Sequence, residues 1–117
     1  MTREFILLPE FEKQIKYIGL DDNDIIAIEN ALLENPTVGE IIQGTGGIRK
    51  FRIALLNNNS GKSGGARVIY LDFAYYARIY LITVYTKSEK ENLSKAEQNA
   101  LKDLTKILGD EAKRRGK

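Results

Sequence analysis

The stretch from Gly44 to Lys87 constrains the fold most, because it holds three strand-like runs separated by only two short breaks. Ile48–Leu56 (IRKFRIALL) alternates apolar and cationic side chains, which predicts a strand with one basic face. Ala66–Phe73 and Arg78–Tyr85 are almost continuously apolar, as expected of central strands covered on both faces. Turn-forming residues join the three runs and predict a hairpin loop and a tight connection, at Asn57–Gly65 (NNNSGKSGG) and Ala74–Ala77.

The residues before this stretch predict one strand and a helical hairpin. Arg3–Leu8 is a short β-prone run that ends at a proline. Glu10–Ile18 follows with apolar side chains at helical spacing, and Gly19 is a suitable C-terminal cap. Asp21 or Asp22 can cap a second helix, which Asn35-Pro36 must end because the residue before proline avoids the α region.

A third helix is predicted after the last strand. Ser94 and Glu97 have the spacing of a capping box, and leucines at helical spacing follow them. The order of elements is therefore β-α-α-β-β-β-α, with helices that back an antiparallel meander. This predicts a single α+β domain over residues 1–117.

Charge is distributed unevenly along the chain. The stretch from Gly44 to Lys87 has seven basic residues and one acidic residue, whereas residues 1–43 have three basic and nine acidic ones. The net charge of +2 conceals this separation. A basic strand-forming centre is typical of a protein that binds a polyanion.

Composition narrows the chemistry that is available. The chain has no cysteine and no histidine, which removes thiolate nucleophiles, the commonest metal ligand and the commonest general base. No apolar run approaches the roughly 20 residues that cross a bilayer. We therefore expect a cytoplasmic protein without a membrane segment, cofactor or metal, whose catalysis, if any, depends on Lys, Arg, Tyr, Asp or Glu.

Two glycine-rich segments invite a nucleotide-binding interpretation, and both fail it. Ser60-Gly61-Lys62-Ser63 lacks the first glycine of the phosphate-binding loop, where Leu56 stands instead, and a strand follows it rather than a helix. The segment Gly44–Gly47 precedes a strand instead of following one, and Arg49 occupies the place of the last glycine of the dinucleotide fingerprint.

The basic strand face is the better candidate for a site. Lys50 and Arg52 project from one side of their strand, while Arg67 begins the next strand and Lys87 follows the last one. An antiparallel meander can gather such positions around one concavity. The alternative is a solvated edge strand that lysine and arginine protect from aggregation.

The tyrosines of the two central strands could stack on nucleic acid bases or pack in the core. We interpret Tyr70 and Tyr80 as core residues, because tyrosines so often pack there. Tyr85 shares a face with Lys87 at the end of the sheet, which makes it the better candidate for a site.

Three segments carry a resemblance to a known family, VGEIIQGTGGIRKFRIA, KSGGARVIYLDF and YLITVYTKSEKENLS. They resemble the HigB-like branch of the RelE/ParE superfamily of toxins from bacterial toxin–antitoxin pairs. The resemblance covers nearly the whole chain. It implies an N-terminal strand and helical hairpin packed on a small antiparallel sheet, with a C-terminal helix, and a ribosome-dependent endoribonuclease that cleaves mRNA in the A site.

The resemblance also implies roles for individual residues. It implies catalytic roles for Arg67, Lys87 and Arg52, and RNA binding by Arg49, Lys50 and Lys62. The tyrosine that some relatives carry near the C-terminus is absent from this chain, which ends KRRGK, and we take Tyr85 as its catalytic substitute. The implied reaction is attack by an RNA 2′-hydroxyl on its own 3′-phosphodiester. Because the chain lacks histidine, a lysine with a lowered pKa or a tyrosine is the expected base, and Arg67 the expected stabiliser of transition-state charge.

The expected partners are a cognate antitoxin, a DNA-binding helix-turn-helix protein that occludes the basic site, together with the ribosome and mRNA. Operator DNA would be bound only through the antitoxin. Two other functions remain open at this point, a non-cleaving inhibitor of DNA gyrase like the ParE branch and a general nucleic-acid-binding domain. The first needs no cluster of cations at a sheet concavity, and the second predicts salt-dependent binding to free nucleic acid.

Overall fold

The computed structural model describes residues 3–54, 65–87, 89, 90 and 92–115. A 3₁₀ turn, Ala74–Tyr76, makes the tight connection between the two longest strands. The end of the predicted strand at Leu55 and Leu56 and the predicted hairpin loop as far as Gly64 lie outside the described residues. The helices and strands in chain order are β1 (Glu4–Leu7), α1 (Pro9–Ile18), α2 (Asp22–Glu34), β2 (Glu40–Ile41), β3 (Arg49–Ile53), β4 (Ala66–Phe73), β5 (Arg78–Thr86) and α3 (Lys95–Arg115).

The five strands form one mixed sheet in the order β1-β5-β4-β3-β2. The three strands β3, β4 and β5 pair antiparallel, as predicted. The predicted α+β fold is confirmed, and the structure adds two features: β1 joins the sheet parallel to β5, and the two-residue strand β2 falls within a segment predicted to be a loop. The sequence pattern of β1 carries no information about the direction of its neighbour.

The helical hairpin covers one face of the sheet. Phe11, Ile15 and Ile18 recur at helical spacing on α1 and are buried against β4 and β5. Gly19 ends α1 in the left-handed region, with φ 88°. Asp21 is the N-cap of α2, and its side chain and that of Asp24 accept each other's backbone N–H groups, which decides between the two predicted caps.

The C-terminal helix α3 covers the opposite face. Its buried residues Leu101, Leu108 and Ala112 pack in a second cluster with Tyr80 and other side chains of β4 and β5. The predicted capping box is present, since Ser94 Oγ accepts from the N–H of Glu97 and Glu97 accepts in return. Both central strands are therefore covered on two faces, as their apolar sequences predict, and Tyr70 and Tyr80 are fully buried.

Two ion pairs hold the first strand and the residue before it to the sheet. Arg3 Nε donates to Asp72 Oδ1 at 2.8 Å, and both side chains are less than 10% exposed (8% and 9%). Arg78 donates to Glu4 at 3.2 Å and to the carbonyl of Ala112 at 3.2 Å, so that one guanidinium contacts both β1 and α3. Within the described ranges, no helix is both long enough and apolar enough to span a membrane.

Candidate nucleic-acid interface

The sheet register brings most of the predicted site residues to one place. Arg52 lies directly opposite Arg67, and Arg67 lies directly opposite Tyr85. Residues in such antiparallel pairs have Cα atoms about 4.5–5.5 Å apart and share a face of the sheet. Lys50 and Lys87 lie two positions from this row, on β3 and just after β5, and therefore share the same face.

The four cations, but not the buried Tyr85, line a cleft of about 580 Å³, which we call the cationic cleft. It lies on the face of the sheet that α3 covers, beside the residues that lead into that helix. Among the described residues, four cations and a single acid line it, so that its potential is positive. The lining residues are Val38, Glu40, Lys50, Phe51, Arg52, Arg67, Lys87 and Asn92.

Arg52 and Arg67 lie directly opposite one another, and Arg67 is only 5% exposed. Arginine forks match phosphate oxygens in two parallel hydrogen bonds, so a pair of guanidinium groups at one place on the sheet is chemically suited to an anionic ligand.

A glycine fixes the point at which β4 begins and so the place of Arg67. Gly65 has φ 69°, and a Cβ at this position would lie 2.2 Å from the carbonyl oxygen of Ile53. No other residue fits such a backbone approach without a shift of the two strands. Gly65 therefore has a structural function in aligning β3 with β4.

One of the predicted RNA-binding residues, Arg49, is not brought to the cleft. Arg49 lies on the other face of β3 and donates to the carbonyl of Gly39 at 2.6 Å, which anchors the segment leading into β2. Its RNA contact stays a prediction, and the contact that is seen is structural. Lys62 lies outside the described residues.

Tyr85 is more buried than its predicted place at the end of the sheet suggests. It is 2% exposed, and its hydroxyl has no hydrogen-bond partner in the part of the chain that the structure describes. Burial raises the pKa of Tyr85, while the charge of Arg67 opposes that rise. The phenol therefore keeps its proton at neutral pH, which suits a proton donor better than a base.

Four lining residues were not anticipated as part of the site; one of them, Phe51, was predicted only as an apolar residue of its strand, and the other three lie outside the predicted strands. Val38 and Glu40 come from the segment around β2, and Asn92 from the connection between β5 and α3. They lie in short connections without hydrophobic periodicity, so no pattern in the sequence points to them. Within the described ranges, no group of three or more acidic side chains is placed to hold a metal ion.

The chain matches a known protein family in sequence and a solved structure in fold. Residues 9–115 match the family model described as the RelE toxin of the RelE/RelB toxin–antitoxin system. Among solved structures, the chain is similar to a double arginine-to-alanine mutant of the E. coli toxin RelE in the free state. The TM-score is 0.52 at 16% sequence identity, and the match covers 78% of this chain and 90% of the other. At that identity, the structural match is evidence for the fold alone.

Proposed function

The chain belongs to the RelE family of toxins from toxin–antitoxin systems, and from this premise we propose that it is a ribosome-dependent endoribonuclease that cleaves mRNA in the A site. Membership implies a cognate antitoxin as partner. The observation that supports the enzymatic proposal is the cationic cleft, in which Arg52 and Arg67 face the same space as Lys50 and Lys87. Its volume of about 580 Å³ is in the range of pockets that hold a molecule the size of a nucleotide. A site for a flat protein surface would not need such a pocket.

The proposed reaction begins with attack by the 2′-oxygen of a ribose on the adjacent phosphorus. The 2′-oxygen forms a bond to phosphorus while the bond from phosphorus to the 5′-oxygen breaks. The products are a 2′,3′-cyclic phosphate and a free 5′-hydroxyl. One proton must leave the 2′-hydroxyl and one must reach the 5′-oxygen. No residue has to form a covalent intermediate, so positioning and charge stabilisation are the main requirements.

The residues of the cleft suit different parts of this reaction. Arg67, buried and fixed by the strand, is suited to stabilise the charge that develops on the phosphorane oxygens. Lys87 is exposed and lines the cleft, and its amine is our candidate for the group that acts on the 2′-hydroxyl. Tyr85 does not line the cleft but lies opposite Arg67 in the sheet, and it remains our candidate for proton transfer because burial raises the pKa of its phenol and keeps the hydroxyl protonated.

The cleft alone is a weak nuclease site, because it lacks a side chain that is clearly poised as a base near neutral pH. We propose that the ribosome supplies the orientation of the mRNA and that an antitoxin inhibits by covering the cleft. The proposed site of action is therefore the cytoplasm, where translating ribosomes are found. Dependence on the ribosome would also explain why a site made mostly of cations does not cut free RNA.

The test is cell-free translation of a defined mRNA with the purified protein, with cleavage mapped by primer extension in the presence and absence of ribosomes. We expect cuts only with translating ribosomes. Inhibition of translation without cuts would contradict the nuclease and lead to a supercoiling assay for gyrase inhibition. Salt-sensitive binding to free RNA with no effect on translation would indicate plain nucleic-acid binding.

Variants test the residues within the same assay. We expect Arg67→Ala and Lys87→Ala each to lower the cleavage rate by about 10²–10³-fold, the cost of removing one donor to transition-state charge. Lys102→Ala removes the same charge from an exposed position on α3 and should cleave like the wild type. Lys62→Ala should only weaken cleavage. Full activity of both cleft variants at equal expression would contradict the assignment.

A further inference from the structure

Lys87 differs from the other cations of the cleft in the way its backbone is held. Lys50, Arg52 and Arg67 lie on strands, whereas Lys87 follows β5 in a turn. The carbonyl of Thr86 accepts the N–H groups of Glu89 at 3.0 Å and of Lys90 at 3.3 Å, which close that turn. The place of the lysine amine therefore depends on this turn rather than on the sheet ladder.

The side chain of Glu89 ties the turn to two other elements. Its Oε1 accepts from the backbone N–H of Thr86 at 2.9 Å. Its Oε2 accepts from Gln14 Nε2, on α1, at 3.2 Å. The same amide nitrogen of Gln14 donates to the carbonyl of Val84 at 2.8 Å, so α1, β5 and the turn meet at one carboxylate. No part of the proposed reaction uses these groups.

We propose that Glu89 is a positioning residue for Lys87, which fixes the turn so that the lysine amine reaches the cationic cleft in one place. The inference rests on the proposed function. Lysine carries its charge on a flexible four-carbon stem, so its backbone must be fixed if the amine is to act at a defined atom. Catalytic groups have to be held within about 0.5 Å of their productive position, and supporting hydrogen bonds supply that precision.

The experiment is single-turnover cleavage on ribosomes programmed with a defined mRNA, which separates the maximal rate from the half-saturating toxin concentration. We expect Glu89→Ala to lower the maximal rate by about 10- to 100-fold, the effect of a misplaced group, and to leave half-saturation within about twofold of the wild type. Glu89→Gln keeps an acceptor for the Thr86 N–H and should retain more of the rate. Glu34→Ala removes the same charge from an exposed position and should have no effect.

A double variant distinguishes positioning from general weakening of the fold. If Glu89 acts through Lys87, then Lys87→Ala/Glu89→Ala should cleave at the same rate as Lys87→Ala alone. Losses that multiply would overturn the inference, as would a rise in half-saturating concentration at an unchanged maximal rate. Thermal melts of each variant show that the comparison is made between folded proteins.

A second measurement does not depend on cleavage and therefore separates this inference from the proposed function. Amide hydrogen exchange should be at least about tenfold faster at Thr86 in Glu89→Ala than in the wild type, because the N–H loses its acceptor. Nuclear magnetic resonance relaxation should show a more mobile backbone at Lys87. The amide of Val68, in the centre of the sheet, should be unchanged. Unaltered exchange and mobility in the turn would overturn the inference even if the wild type cleaves mRNA.

Discussion

The hydroxyl of Tyr85 allows a sharp test, because removing it should make the protein more stable. The residue is 2% exposed, and this oxygen is buried without a hydrogen-bond partner in the described part of the chain. Tyr85→Phe deletes the one atom and keeps the ring, which packs in the cluster beneath α3. A polar group held in this way is a recognised sign of a functional demand on a site.

The magnitude follows from the cost of burying an unpaired hydroxyl, about 1–3 kcal/mol in proteins. Taking the lower end, we expect Tyr85→Phe to raise the free energy of unfolding by about 1 kcal/mol. For a domain of this length, that corresponds to a rise of roughly 4 °C in the melting temperature. Burial also raises the pKa of the phenol above 10.0, so the native wild type loses stability as the pH rises above that value. The advantage of the variant should therefore widen in alkali.

Tyr70→Phe is the matched control, since it deletes the same atom from an equally buried ring. The Tyr70 hydroxyl accepts the N–H of Gly39 at 3.0 Å and donates to the carbonyl of Pro36 at 2.7 Å. Deleting it leaves the buried N–H of Gly39 without that partner, which costs about 2 kcal/mol. The two tyrosine-to-phenylalanine changes should therefore shift stability in opposite directions and differ by about 3 kcal/mol.

Urea unfolding of both variants at pH 7, with scanning calorimetry, measures the two shifts. If Tyr85→Phe lowered the melting temperature as much as Tyr70→Phe, the reasoning from the unpaired hydroxyl would be refuted. The cleavage rate of Tyr85→Phe is then measured to test whether the hydroxyl takes part in the reaction. A stabilised protein with a lower cleavage rate would assign the hydroxyl a part in the reaction, whereas an unchanged rate would exclude Tyr85 from proton transfer.

Three further predictions concern stability. Gly65→Ala should cost at least about 2 kcal/mol in urea unfolding, from left-handed backbone strain and a clash with the carbonyl of Ile53, and an unchanged midpoint would contradict it. Asp72→Asn should cost about 3 kcal/mol, because it leaves a buried guanidinium without its carboxylate, and a loss below about 0.5 kcal/mol would show that the pair contributes little. The hydrogen bond from Lys90 lowers the pKa of Glu97 below 4.5, so the wild type should lose stability relative to Glu97→Gln as the pH falls below that value, and parallel pH profiles of melting temperature would refute this.

Helices and central strands could be predicted from the sequence because their evidence is local. Apolar spacing placed α1, and the carboxylates at Asp21 and Asp24 marked the start of α2. The mixed sheet could not be predicted in full. The parallel pairing of β1 with β5 is a contact between distant segments, and a two-residue strand such as β2 is too short to show any periodicity.

The candidate site was predictable to the extent that strand alternation decides which side chains share a face. That rule brought Lys50, Arg52 and Arg67 together, as the register shows. It could not separate burial from exposure at Tyr85, because the extent to which α3 covers the sheet depends on tertiary packing. Strand alternation also could not predict the contacts of Glu89, because its hydrogen bond with Gln14 joins residues far apart in the chain.

The parallel pairing of β1 with β5 affects the order in which the sheet can form during synthesis. Glu4 and Arg78 are neighbours in the sheet but 74 positions apart in the chain, and β5 lies between β1 and β4. In a growing chain, β1 therefore has no partner strand until β5 has been made, and α3 comes later still. Contacts of such long sequence separation form slowly. The sheet is therefore completed only after Thr86 has been synthesised, and α3 can cover its second face only after that.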